Sequence, residues 1–177
     1  MAPDEPPDIV TAGRGANVPG CESCHLRSGL GTPSSARLAG LGSDYIALQV
    51  SSYRKGLRGA QSRPSAEMSE IARMLSDADV RDAAEYFASS PVFPWVRVVE
   101  RDDVPVRDGL RLVESRDASE AGAGPRGIIA AVPSGAVAKG ERLVTTGGGG
   151  RTVRCALCHG DDLRGLHQAP PLAGQLP

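Results

Sequence analysis

The chain has 177 residues, and its 20 basic and 21 acidic side chains leave a net charge of −1. That balance gives no general attraction to nucleic acid or to an anionic membrane, and no stretch approaches the ~18 consecutive apolar residues of a membrane span. The length suits one or two small domains, yet aromatic residues make up only 3%, thin provision for two independent cores.

In chain order, Met1-Ala2-Pro3-Asp4-Glu5-Pro6-Pro7 lacks the basic segment and apolar run of a secretory signal. A short helical stretch near Ile9 to Ala16 then leads into Cys21-Glu22-Ser23-Cys24-His25, and Cys155-Ala156-Leu157-Cys158-His159 repeats the pattern far downstream. The two copies use all 4 cysteines and two of the 3 histidines. C-x-x-C-H is the attachment signature of c-type haem. On that reading Cys21, Cys24, Cys155 and Cys158 form thioethers to the vinyl groups of two haems, and His25 and His159 ligate the irons. Zinc and dithiol redox chemistry also use C-x-x-C, but neither explains the two following histidines. A haem also supplies the flat apolar surface that so few aromatics cannot.

Residues 21–40 overlay residues 155–174 without a gap, bringing Leu38-Ala39-Gly40 onto Leu172-Ala173-Gly174 and Gly31 onto Gly165. A register held over that length indicates one haem-binding unit duplicated in tandem. The first unit is placed at residues 5–90. Ser28 to Ala36, rich in glycine and serine, reads as a loop. Ser43 is a candidate N-cap for a helix over Asp44 to Lys55, with Ile46, Val50, Tyr53 and Leu57 as its apolar stripe and Gly56 as its stop. Ser76 and Asp79 have capping-box spacing ahead of a last helix whose buried stripe is Val80, Ala83, Ala84 and Phe87, closed by Pro91.

The sixth iron ligand has to come from the far side of the haem. Met68, entering a helix after a loop, is the candidate, since a thioether is a soft ligand for haem iron. Met74 is its rival, but it shares a helical run with Ile71 and Leu75 and is expected to pack in the core.

The C-x-x-C-H, Leu38-Ala39-Gly40, Asp44-Tyr45-Ile46, Met68, Ile71-Ala72, Leu75-Ser76-Asp77 and Tyr86-Phe87-Ala88-Ser89 together resemble a class I cytochrome c unit of the di-haem, cytochrome c-four-like group. The resemblance covers residues 9–90 and implies His25 and Met68 as the axial pair. This unit departs from the pattern in having Leu26 where glycine usually follows the haem histidine, and Ala36 where the usual proline offers its carbonyl to the ligand imidazole. Ala36 retains a carbonyl, so orientation of the imidazole is expected to be weakened at most.

Residues 91–135 carry no haem motif and read as a loop-rich linker. Val92 to Val98 is β-prone but interrupted by Pro94, so an extended connector is expected, with Trp95 as a hydrophobic anchor and the alternating charges from Arg97 to Glu120 on a solvated face. The second unit is placed at residues 136–177, with a helix from Val137 to about Thr145 ended by Gly147 to Gly150. It has the expected Gly160 after its haem histidine and Pro170 at the place of Ala36. The spacing from Cys21 to Met68 would put its methionine near position 202, so a truncated second unit, holding the N-terminal half only, is expected. His167, in a loop on the proximal side, is the other candidate ligand.

The fold expected is therefore all-α: tandem class I cytochrome c domains, the second incomplete. Haem held by histidine and methionine carries single electrons, and no side-chain constellation argues for an enzyme. The expectation is a periplasmic carrier serving a dehydrogenase, an oxidase or another cytochrome. Association with a membrane complex would need no span in this chain. The basic run Arg54, Lys55, Arg58, Arg63 would steer an acidic partner or simply form a solvated helix face. Two alternatives stay open: a cytochrome subunit of a dehydrogenase, and a second iron left open to a small ligand. Periplasmic location follows from haem attachment, the signal having been removed or the start misassigned; a cytosolic protein with unmodified thiols is the rival.

Overall fold

The computed structural model describes residues 5–32, 34–58, 63–92, 96–104, 111–115, 127–166 and 169–173. The chain forms two compact units, Met1–Val92 and Phe93–Pro177.

The first unit is helical. Helix α1 spans Asp8–Thr11, α2 Glu22–His25, α3 Ser43–Arg54, α4 Arg63–Met74 and α5 Asp77–Ser89. Ile9, Val10, Val18, Leu41, Ile46, Ala83, Ala84, Tyr86 and Phe87 form one core cluster, and Val50, Ala72 and Val80 a second. The capping box of α5 is present: the Ser76 hydroxyl accepts from the Asp79 amide at 3.1 Å, and the Asp79 carboxylate accepts from the Ser76 amide at 3.1 Å. It satisfies two amides that the helix leaves without intrahelical partners. All four residues of the expected stripe are buried, Phe87 to 1% exposure.

Other expectations need correction. The N-cap of α3 is Gly42, and Ser43 is the first helical residue with no capping bond. Leu57 lies beyond the C-cap Lys55 and is 75% exposed, because the stripe continues past the point where Gly56, at φ +68°, has turned the chain. Met74 is exposed. The face that α4 buries is Met68, Ile71 and Ala72, continued by Leu75 just past the helix end, an i, i+3, i+4, i+7 series that excludes Met74.

The all-α expectation fails in the second unit. Strands β1 (Val96–Arg101), β2 (Arg111–Ser115) and β3 (Gly127–Pro133) form a sheet of order β1-β3-β2, with β1 parallel and β2 antiparallel to β3. Pro94 does not break the strand; it precedes it, where no ladder amide is needed. Val96, Val98 and Val99 then supply β-branched residues suited to a pleated surface. Ala130, Ala131 and Val104 are buried, while Arg97, Glu100, Arg101, Asp102 and Asp103 are exposed. Trp95 lies outside the described residues.

Helix α6, Ala136–Gly150, follows the sheet. Its left-handed N-cap, Gly135, has no side chain, and Glu100 of β1 takes over the capping role by accepting from the Val137 amide at 2.8 Å. The φ values of Gly147, Gly148 and Gly149 are +67°, +63° and +77°, so the regular helix ends where the glycines begin. Helix α7, Ala156–His159, carries the second motif.

Candidate functional site

Each C-x-x-C-H is a single helical turn entered at its first cysteine. Cys21 is the N-cap of α2 and Cys155 of α7, with φ of −55° and −63°. The His25 amide donates to the Cys21 carbonyl at 2.9 Å, and His159 to Cys155 at 3.0 Å. Spacing of i, i+3 and i+4 on one turn puts both cysteines and the histidine on one face of the segment.

The loops behind the two motifs repeat bond for bond. The amide of Gly31 reaches the His25 carbonyl at 3.0 Å, and that of Gly165 reaches His159 at 2.9 Å. Leu38 and Ala39 both donate to the Gly29 carbonyl, at 2.7 and 2.9 Å; Leu172 and Ala173 both donate to Leu163, at 2.8 and 3.1 Å. The bridge Thr32–Ser35 has its counterpart in Leu166–Ala169. The register also extends upstream of what the sequence overlay suggested. A Cβ on Gly13 would lie 2.0 Å from the Val18 carbonyl, and one on its counterpart Gly147 would lie 2.0 Å from the Thr152 carbonyl.

These loops aim the histidines. Nδ1 of His25 donates to the Ala36 carbonyl at 2.8 Å, and Nδ1 of His159 donates to the Pro170 carbonyl at 2.7 Å. A carbonyl only accepts, so the proton sits on Nδ1 and the Nε2 lone pair is left for a metal. The expected weakening at Ala36 is therefore not seen: the carbonyl, rather than the proline ring, does the orienting. Burial pushes the His25 imidazole below its ordinary pKa, with the Ala36 bond opposing, and the ring is held neutral as a ligand must be.

The residues present fit a haem. All four cysteines are free thiols, with Cys24 and Cys158 exposed and Cys21 and Cys155 half-buried. Burial first, and the Asp79 carboxylate in smaller part, push the Cys21 thiol up to about 11 against a backbone hydrogen bond that lowers it; the group is a neutral thiol before attachment. Ser35 fixes the motif from behind, its hydroxyl donating to the Cys24 carbonyl at 2.6 Å. Among the described residues no three His, Cys, Asp or Glu side chains gather into a metal site.

Met68 is half-buried against Val50, Ala72 and Val80, on the face of α4 that turns into the unit. His167 lies outside the described residues. Of the basic run, Arg54 is a clamp: its guanidinium donates to the Ala72 carbonyl at 2.8 Å, the Leu75 carbonyl at 2.6 Å and the Asp77 carboxylate at 2.6 Å. It ties the end of α3 to the turn between α4 and α5. Arg58 bonds Gln49 and lies over the Tyr53 ring, 5.3 Å from its centroid; Lys55 is exposed.

Two contacts near the first motif had no signal in the sequence. Tyr86 of α5 donates its hydroxyl to the Arg27 carbonyl at 2.9 Å, fastening the loop just past His25. Arg14 pairs with Asp79 at 2.8 Å, joining the loop after α1 to the first turn of α5.

No family model matches the sequence. The chain is 40% identical over 74 residues to a thiosulfate dehydrogenase electron acceptor of Stutzerimonas stutzeri (strain A1501), covering 41% of this chain and 33% of that protein. It is 29% identical over 160 residues to a protein of the same description from Thiomonas intermedia (strain K12), covering 88% of this chain and 56% of the relative. The chain thus spans between a third and about half the length of these curated relatives. Among solved structures it is similar to cytochrome c4 of Acidithiobacillus ferrooxidans (TM-score 0.58, 24% identity, 88% of this chain and 72% of that one). It is also similar to thiosulfate dehydrogenase from Marichromatium purpuratum (TM-score 0.60, 23% identity, 95% of this chain and 29% of that one). These likenesses show a cytochrome c fold.

Proposed function

We propose that this chain is a two-haem c-type cytochrome that carries single electrons away from a dehydrogenase in the periplasm. Cys21 and Cys24 hold the first haem with His25 as proximal ligand, and Cys155 and Cys158 hold the second with His159. The observation that carries this reading is the matched pair of Nδ1-to-carbonyl bonds, 2.8 Å at His25 and 2.7 Å at His159. Each sits behind a C-x-x-C-H turn and presents a neutral Nε2. When bound, haem iron would supply the one-electron couple; the chain attaches the ring and fixes the imidazole.

Met68 would supply the remaining ligand of the first iron. Of the two methionines within α4 it is the one turned toward the interior, beside Tyr53 and Val50, while Met74 is exposed. Methionine ligation raises the potential, which suits an acceptor. The electron donor is a thiosulfate-oxidising dehydrogenase, a reading supported by the descriptions of both curated relatives. The match of nearly the whole chain to 29% of a thiosulfate dehydrogenase chain also favours a carrier that works next to its enzyme. Among the described residues no helix is long and apolar enough to cross a membrane.

The test is to mature the protein with a haem-ligation system and weigh it. Two haem adducts are expected, one of which is lost in Cys24→Ser and the other in Cys158→Ser. A thiosulfate dehydrogenase with thiosulfate should then reduce it. No haem, or zinc in its place, overturns the reading.

A further inference from the structure

The Arg14–Asp79 pair is a built charge cluster beside the first haem-attachment motif, and carriage of electrons as described above makes no use of it. Asp79 Oδ1 receives Nη2 of Arg14 at 2.8 Å and Nε at 2.9 Å; Oδ2 receives the Ser76 hydroxyl at 2.7 Å and the Ser76 amide at 3.1 Å. The carboxylate is fully hydrogen-bonded and belongs to a residue only 7% exposed. Its ionised form is held by these partners, the Ser76 hydroxyl first.

Cys21 lies among the same elements. Its amide and its sulfur both approach the Ile9 carbonyl of α1, at 3.2 and 3.3 Å, and its side chain packs on the cluster formed by α1 and α5. Asp79 stands in the first turn of α5, whose Ala83, Ala84, Tyr86 and Phe87 share that cluster with Ile9 and Val10, and its bond to Arg14 ties it to the loop that leads from α1 to Cys21; its charge also acts to raise the Cys21 thiol. The two members of the pair are unequally screened: the side chain of Arg14 is 46% exposed and that of Asp79 10%. Water attenuates the cation far more than the anion, so from Cys21 the pair carries a net negative field. In the register of the two units, Arg14 falls on Gly148, so the second motif has no cation at this place.

We infer that the Asp79 carboxylate lowers the reduction potential of the first haem and that Arg14 moderates it, making the pair a positioning element that sets that potential. A fixed anion near the ring favours the oxidised iron, whose charge is one unit more positive. The inference rests on the carrier function proposed above.

The experiment is a spectroelectrochemical titration of the haem-loaded protein, with thermal melts alongside. Asp79→Asn keeps the shape and the two bonds of one oxygen while removing the charge. It should raise the first potential by about tenfold in the reduced-to-oxidised ratio, ~59 mV for one electron. Arg14→Gln should lower it, and the second haem should move in neither. Potentials unmoved in both variants, whatever the melts do, leave the pair as a plain structural strut and overturn the inference. If Asp79→Asn does not fold, Arg14→Gln decides alone by the sign of its shift. A wild-type protein with no haem at Cys21 and Cys24 overturns the carrier reading and this inference together; haem present with unmoved potentials overturns this inference only.

Discussion

Leu26 has φ +62° and ψ 151°, a region of the backbone map that glycine occupies and L side chains avoid. Its counterpart, Gly160, has φ +83° and ψ 157°. The shape of the turn after the haem histidine is thus the same in both units, and the first unit adopts it with the less suitable residue. Alanine and glycine at position 26 remove the same contacts of a side chain that is 36% exposed, so comparing them isolates the backbone. Strain at such a position costs ~1–3 kcal/mol, and the greater freedom of glycine in the unfolded chain returns ~0.4–1 kcal/mol of that. Leu26→Gly should therefore be more stable than Leu26→Ala by ~0.5–2 kcal/mol, the reverse of their usual order. In a domain of this size each kcal/mol corresponds to ~4–8 °C in melting temperature. Gly160→Ala is the reciprocal control. Its added Cβ would meet the Asp162 side chain at 3.3 Å and, at ordinary contact distance, Leu166 at 3.5 Å and the Gly165 carbonyl at 3.8 Å, so its cost of ~1–3 kcal/mol is mainly torsional. The assay is thermal melting of the haem-loaded protein, followed in the visible bands of each haem. An alanine variant at position 26 as stable as the glycine one would refute the argument.

Two further outcomes follow from the first unit. Met68→Ala should abolish the sulfur-to-iron charge-transfer band of the first oxidised haem and lower its potential, while Met74→Ala, at an exposed site, should leave both unchanged; the opposite pattern assigns the ligand to Met74. The Ser76 and Arg14 contacts hold the Asp79 carboxyl below the usual carboxylate range. A group whose folded pKa is depressed contributes stability above its unfolded pKa, and that stability disappears as pH falls through the folded value. Acid unfolding curves of Asp79→Asn should therefore run below wild type at neutral pH and converge with it as the carboxyl protonates; a constant gap down to the lowest pH would mean that Asp79 acts by shape alone.

What could be read in advance was local or periodic. The two pentapeptides, their shared register, the Ser76–Asp79 capping box and the stripe ending in Phe87 each depend on residues a few positions apart. What could not be read depended on distance or direction. Arg14 and Asp79 are 65 residues apart, and nothing near either one announces the other. Arg54 looked like part of a basic face because its three acceptors belong to α4, the turn beyond it and the start of α5. Met74 was misjudged by proximity to Ile71 and Leu75, although helical geometry puts it off their face. The sheet was missed because Pro94 was weighed as an interruption, while a proline just ahead of a strand removes no ladder bond.

The exchange of Leu26 for Gly160, and of Gly29 for Leu163, shows which part of a haem-binding turn can vary. Leu163, like Leu26, has positive φ, at +57°. Where the backbone requires positive φ but leaves room beside it, the obstacle is torsional, and a modest penalty can be carried by the rest of the fold. Gly160 is such a place. At Gly13 and Gly147 the obstacle is a carbonyl oxygen 2.0 Å from any added Cβ. That backbone is itself held, since the Val18 carbonyl accepts from Arg14 at 2.8 Å. No rotamer change relieves such a contact, and both units keep glycine. Gly29 joins this second class in the first unit, where a Cβ would meet the Phe87 ring at 2.8 Å and the Ala39 amide at 2.9 Å. The two units thus share a backbone pattern more faithfully than a sequence. That pattern, through the carbonyls of Ala36 and Pro170, is what aims His25 and His159.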